Sequence, residues 1–293
     1  KQHGGPDCLW LGMVNANPVN SRGMFCDLKE IGKRSEIIMC DHQSRDFLNG
    51  FEQNSMNGFL LHGLAGWEKI VPESMANYSR GVRTFRLSSN PTQETRLWMI
   101  EGFAGGISPW YHHIGAVPED KRQFAHVPPL LQWHADNEDV LYDRSPVAPV
   151  GLVWSQENIE FYGRNETHEK VSLPWRGFTK ALTRARIPFM PVHADHILRD
   201  ADQLSVLVLT DMAAMSDSQC EAVKKFVESG GSIVFTGATA TLDEEGNRRE
   251  EFPFSSFTGI RHLHVTEGAD IKQSTDWAYL DAHNYFRLPE RRH

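Results

Sequence analysis

Short apolar runs alternate with helical patterns along the chain, and polar residues gather where the runs stop. Asp7 to Val14 (DCLWLGMV) and Glu36 to Cys40 (EIIMC) are apolar stretches of strand length, and an apolar helix is expected around Gly58 to Ala65. After Met39 and Cys40 come Asp41, His42 and Gln43; after Ile70 and Val71 come Glu73, Asn77 and Tyr78. Consecutive strands that end in polar residues deliver them to one face, the end where parallel α/β folds carry their sites. Asp and Asn after a strand also cap the next helix. From Arg96 to Ala116 (RLWMIEGFAGGISPWYHHIGA), Leu97, Ile100, Glu101 and Ala104 fall at helical spacing, Gly105 and Gly106 stop the helix, and Ile107 to Tyr111 makes a short strand. Trp110, Tyr111, His112 and His113 close that strand. An aromatic platform flanked by imidazoles suits a pyranose ring, with its apolar C–H faces and polar edges; the same aromatics also suit a core.

A second block starts after Pro146. Val147 to Ser155 (VAPVGLVWS) reads as a strand, Leu173 to Arg186 as a helix with Pro174 in its first turn, Pro188 to Val192 as a short strand, and Ser205 to Leu209 (SVLVL) as a continuous apolar strand. Ser216, Asp217 or Ser218 caps a helix running through Val227; Gly230 and Gly231 end it, and Ser232 to Thr236 (SIVFT) is the next strand. Alternation with short links favours a parallel sheet covered on both faces. Gly163 to Trp175 reads as irregular, and Thr241 to Pro253 as an exposed charged loop.

Composition narrows the class. At 293 residues, 40% hydrophobic and 23% charged, the chain is long enough for two domains with real cores. A net charge of −8 without any Lys/Arg run argues against a nucleic-acid partner. Cys8, Cys26, Cys40 and Cys220 show no CxxC spacing, so no zinc ribbon or dithiol site is indicated, and reduced thiols in a cytoplasm are the simplest account. No apolar run approaches the roughly 20 residues of a membrane span, so no membrane partner is expected. His193, Asp195 and His196 with His168, and His126 with His134, are the groupings nearest to a metal set. Scattered histidines without cysteine read instead as hydrogen-bonded core or surface groups. Gly230 and Gly231 precede a strand, the reverse of a phosphate cradle, so no metal, nucleotide or other cofactor is expected.

The passages IIMCDHQSRD, PESMANY, TRLWMIEGFAGGISPW, VGLVWSQEN and FVESGGSIVFTG together resemble bacterial glycosyl hydrolases that join a (β/α)8 barrel to a β-galactosidase trimerisation domain. The latter is a flavodoxin-like unit related in fold to class I glutamine amidotransferases. The resemblance implies an α/β chain: the later half of a (β/α)8 TIM-type barrel over 1–145, then a flavodoxin-like doubly wound domain over 146–293, expected to be cut short. A complete barrel takes about 250 residues. Retaining members of this class use two carboxylates about 5 Å apart, one protonating the leaving oxygen and the other attacking the anomeric carbon. In the family pattern the acid follows the fourth strand and the nucleophile the seventh. With Ile107 to Tyr111 as the eighth strand, Glu73 takes the nucleophile position, with Glu68 as a nearby alternative. Asp41, His42, Asn77, Tyr78, Trp110, Tyr111, His112 and His113 line the sugar pocket, and the acid has no counterpart here.

The expected activity is therefore a retaining glycoside hydrolase acting on a β-galactoside or fucose-like sugar, in a homo-oligomer for which the resemblance suggests a trimer. The alternative is a non-catalytic carbohydrate-binding or oligomerisation protein. In the second domain, Thr210, Asp211 and Met212 stand where amidotransferase relatives carry a cysteine nucleophile, and Cys220 lies within the next helix. That unit is therefore expected to be structural.

Overall fold

The computed structural model describes residues 5, 8–9, 11–15, 26–41, 44–46, 50–74, 78–80, 90–111, 120–142 and 144–260. Its first sheet is built from β1 (Leu11–Asn15), β2 (Ile37–Asp41), β4 (Pro72–Ser74) and β6 (Ser108–Trp110), with β3 (Ser44–Asp46) and β5 (Tyr78–Arg80) pairing apart as a small parallel ribbon. Helices α1 (Leu28–Arg34), α2 (Glu52–Ala65), α3 (Thr92–Ala104), α4 (Gln123–Asp136) and α5 (Glu138–Leu141) fill the connections and follow the last strand. The second sheet is built from β7 (Val150–Trp154), β8 (Phe189–His193), β9 (Val206–Leu209) and β10 (Ser232–Phe235), with α6 (Leu173–Ala185), α7 (Ile197–Asp200), α8 (Asp217–Glu228) and α9 (Ser255–Thr258).

Strand order separates the two sheets. The first runs β1-β2-β4-β6, all parallel, so each crossover steps in the same direction, as in a barrel wall. The second runs β10-β9-β7-β8: the chain steps from β7 to β8, returns to the other side of β7 and continues outward. That reversal is the flavodoxin-like pattern. The fold is the later part of a TIM-type barrel followed by a flavodoxin-like doubly wound unit.

Local chemistry explains most element ends. Asp27 caps α1 by accepting the Glu30 N–H at 2.9 Å. Ser216 and Gln219 form a reciprocal capping box on α8, and Gly230 turns the chain at φ +101° before β10. Pro72 opens β4, where a strand tolerates a residue without an N–H, and Pro109 lies on β6, the sheet's outer strand.

One buried cluster contains residues of both sheets. Val150, Leu152 and Trp154 on one face of β7 join Val14, Ile38 and Val71 of the first sheet through Leu60, Leu61 and Leu64 of α2. Val153, on the other face of β7, joins Met190, Leu207, Val223 and Phe226. Since β7 is buried on both faces, its run of apolar residues carries no alternation. Helix α2 is enclosed because two glycines permit close approach. A Cβ at Gly58 would stand 2.3 Å from the Gly105 carbonyl oxygen, and one at Gly63 would stand 2.7 Å from that of Pro191 in β8.

Three expectations change. The segment from Gly163 to Trp175 is helical, passing through wide and tight turns (Asn158–Gly163, Arg164–Glu166, His168–Ser172) into α6, because Val171 and Trp175 bury four residues apart. Within α3 the buried residues are Thr95, Trp98, Met99, Gly102 and Phe103, whereas Leu97 and Ile100 are exposed. Ile70 touches the first sheet only through an isolated bridge to Ile37, so the third strand starts at Pro72 and contains Glu73 instead of preceding it.

Candidate active site

The parallel register fixes what the first sheet presents at its C-terminal edge. Asn15 pairs with Asp41, Cys40 with Glu73, Glu73 with Pro109, and Ser74 with Trp110. Asp41 is thus one residue beyond Glu73's partner on one side, and Trp110 one residue beyond its partner on the other. With strands about 4.8 Å apart and about 3.3 Å per residue, the Cα atoms of Asp41 and Trp110 each lie about 6 Å from that of Glu73. The three residues therefore share one strand edge, where a barrel carries its chemistry, with Asp41 and Trp110 in one row on one face of the sheet and Glu73 in the row before it, beside Cys40 and Pro109.

Trp110 is 48% exposed at this edge. Tyr111 is more engaged: its hydroxyl donates to Gln123 Oε1 at 2.9 Å and its ring packs against the cluster of Met99, Phe103, Ile107, Val127 and Leu130. Asp41 is half-buried as the last residue of β2, and Tyr78 opens β5. His42, Asn77, His112 and His113 lie outside the described residues, as do Asn284 to His293. Glu68 is exposed in the turn after α2, at the entry to β4 and so at the end opposite Trp110. That position removes it as an alternative to Glu73.

The histidine groupings resolve into other roles. Thr92 Oγ1 and His126 Nε2 are 2.8 Å apart, while His134 packs its buried ring on Phe103, and burial lowers its pKa. His193 is fully buried against Trp154, Asp195 is bound by Lys29 and Gln219, and His168 is exposed on a helical turn. Among the described residues no three His, Cys, Asp or Glu side chains converge as a metal set.

Sequence reasoning missed the polar junction between the two sheets. Lys29 of α1 bonds Glu157 and lies 3.0 Å from Asp195 Oδ2, while Gln219 of α8 donates to Asp195 Oδ1 at 2.7 Å. Burial alone would lower the Lys29 pKa; the two carboxylates outweigh it and hold the ammonium charged. Arg199, gripped through two nitrogens by Asp200, donates to the Gly63 carbonyl at 2.9 Å and so satisfies a terminal acceptor of α2. The contacts of Lys29 with Glu157 and Asp195, and of Arg199 with Gly63, join residues over a hundred apart in sequence, so no local pattern reveals them.

The strand-to-helix turn after β9 carries Asp211 at φ +53°, a conformation costly for a residue with a Cβ. Its carboxylate accepts the Ala238 N–H at 2.7 Å and the Tyr162 hydroxyl at 2.9 Å, so this elbow locks a loop. Cys220 is buried in α8 and its thiol pKa is pushed up to about 11, the state of a packing residue and not a nucleophile. Among the described residues no helix is long and apolar enough to cross a membrane.

No family model matches the sequence, and no curated protein matches it. Solved structures do. The β-galactosidase of Bacillus circulans sp. alkalophilus aligns with a TM-score of 0.69 at 15% identity, over 86% of this chain and 39% of its own. The β-galactosidase of the Antarctic haloarchaeon Halorubrum lacusprofundi aligns with a TM-score of 0.64 at 13% identity, over 87% and 42%. A GH42 exo-carrageenase from Bacteroides ovatus aligns with a TM-score of 0.60 at 14% identity, over 76% and 34%. The chain thus spans about two fifths of the length of the two β-galactosidases, and likeness at this identity establishes a shared fold.

Proposed function

We propose that this chain is the nucleophile-bearing part of a retaining glycoside hydrolase acting on a β-galactoside, with a fucoside as the second choice. The observation that supports the reading is the register that sets Glu73 at the C-terminal strand edge, one row before Asp41 and Trp110. The names of the aligned structures, β-galactosidases and an exo-carrageenase, support the substrate class. Glu73 attacks the anomeric carbon, the glycosidic C–O bond breaks, and a second carboxyl about 5 Å away protonates the departing oxygen. That carboxyl then takes a proton from water, which displaces Glu73 and releases the sugar with retained configuration. In this reading the proton donor belongs to the earlier strands of a complete barrel. Trp110 gives the apolar face of the sugar a platform; Asp41, His42, Asn77, Tyr78, Tyr111, His112 and His113 complete the pocket. Residues 1–145 form the barrel part, and 146–293 form a trimerisation-type domain in a homotrimer.

The second reading is a carbohydrate-binding or assembly protein, in which the exposed Trp110 serves as a sugar platform without turnover. Chromophore release from aryl β-galactosides and α-fucosides separates the two. The unaltered full-length protein should turn over one of them, and Glu73→Gln should lower that rate by about 10²-fold or more, the least a positioned carboxyl contributes. Equal rates for the two proteins remove Glu73 from the mechanism, and binding without turnover selects the second reading.

A further inference from the structure

A cavity of about 280 Å³ opens at the strand end opposite Glu73 and Trp110. Its walls come from both halves of the fold: Phe59 of α2, Trp67 in the turn leading to β4, Ala104 at the end of α3, Arg144, and Pro188 and Phe189 at the start of β8. The volume lies just below the roughly 300–1,000 Å³ of common small-molecule sites, so the occupant is small.

Two donors in these walls lack an acceptor. Trp67 Nε1 and Arg144 Nε are both shut off from bulk solvent and have no hydrogen-bond partner among the described residues. The rest of the guanidinium makes one neutral contact, Nη2 to the Phe103 carbonyl at 2.5 Å. Burial lowers the Arg144 pKa, and among the described residues no carboxylate acts against that shift. A half-buried cation that meets no counter-ion among the described residues, beside two unpaired N–H groups, is costly unless something negative joins it. The aromatic part of the lining is Phe59, Trp67 and Phe189, with Ser145, Pro146, Val147 and Ala148 beside them; the Phe59 and Trp67 rings lie 5.7 Å apart, and Trp67 stacks on His62 at 4.4 Å.

We propose that this cavity is a second binding site, separate from the sugar edge, for a small organic anion whose carboxylate is held by Arg144 and the Trp67 indole N–H and whose flat apolar body lies against Phe59 and Phe189. Such a ligand touches α2 and β8 together, so its binding stabilises the junction between the two sheets by mass action.

Calorimetric titration of the full-length protein with phenylacetate tests this, with phenylacetamide and acetate as comparison ligands. Phenylacetate should bind saturably and raise the melting temperature. Phenylacetamide should bind about tenfold or more weakly, because the charge-assisted bond is lost. Acetate should also bind more weakly, because the apolar contact is lost. Arg144→Gln should weaken phenylacetate about tenfold or more, and Trp67→Phe, which keeps an aromatic wall but removes the N–H, should weaken it less. Absence of saturable phenylacetate binding, equal affinity for phenylacetamide or acetate, or undiminished binding by a folded Arg144→Gln protein overturns the proposal. The comparison among the three ligands uses the unaltered protein, so it decides the matter even where a variant fails to fold.

Discussion

His193 is a single side chain at which burial outweighs charge. It lies edge-on to Trp154 at 4.9 Å with no exposed surface, and it faces Asp195, Glu157, His196 and Lys29. Its Nδ1 accepts the Asp195 N–H at 3.3 Å, so the ring is neutral. Burial holds its pKa down at about 4, although Asp195 and Glu157 pull the other way. In the unfolded chain the same imidazole titrates near 6.5. Between those values the unfolded state binds a proton that the folded state refuses, so stability is full above about pH 6.5 and is lost as pH falls towards 4, with a slope of up to about 1.4 kcal/mol per pH unit. Urea denaturation at pH 7 and pH 5 measures this, and His193→Gln should flatten the difference; an unchanged pH dependence in the variant assigns the loss to other groups. The motif HADH invited a metal reading because spacing shows proximity but not burial, and burial is what makes this histidine a neutral packing group. Glu73, by contrast, could be placed near a strand end from the chain alone, because an apolar run through Val71 leads into it.

At the scale of an element, α2 obeys packing before propensity. In an exposed helix Gly→Ala gains about 1 kcal/mol. At Gly63 the new methyl would meet the Pro191 carbonyl oxygen at 2.7 Å, a backbone atom that moves only if β8 moves. Gly63→Ala is therefore expected to destabilise the protein by about 1–3 kcal/mol, the cost of overpacking; equilibrium denaturation that shows a gain would mean α2 and β8 stand further apart. Elements of this kind were only partly readable. The α8 cap and the strands of the second sheet follow from local residues and continuous apolar runs, and they lie within a few positions of expectation. In α3 the helix itself was legible, but the buried face was not. Leu97 with Ile100 and Trp98 with Met99 make two apolar stripes, and only the neighbouring α2 and α4 decide which one is covered.

At the scale of the molecule, the core shared through α2 couples two folds that the sequence presents as separate blocks. Leu61 is fully buried within the cluster that contains residues of both sheets. Leu61→Ala should cost about 2–5 kcal/mol and lower the melting of both sheets together, so calorimetry, far-ultraviolet dichroism and tryptophan fluorescence should report coincident transitions. Transitions that separate, with only one of them displaced, would mean the cluster does not couple the sheets. Strand order was readable because it is written in sequence; this coupling was not, because it joins α2 to a strand that follows only after α3, β6 and α4. The enclosure of α2 also sets a schedule for synthesis. The helix ends at Ala65 and the strand that covers its Gly63 side begins at Phe189. At about 5–20 residues per second, a ribosome needs about 6 to 25 seconds to bridge that gap. For that interval one side of the nascent helix has no partner of its own chain, and a chaperone that shields apolar helices has its natural point of entry there.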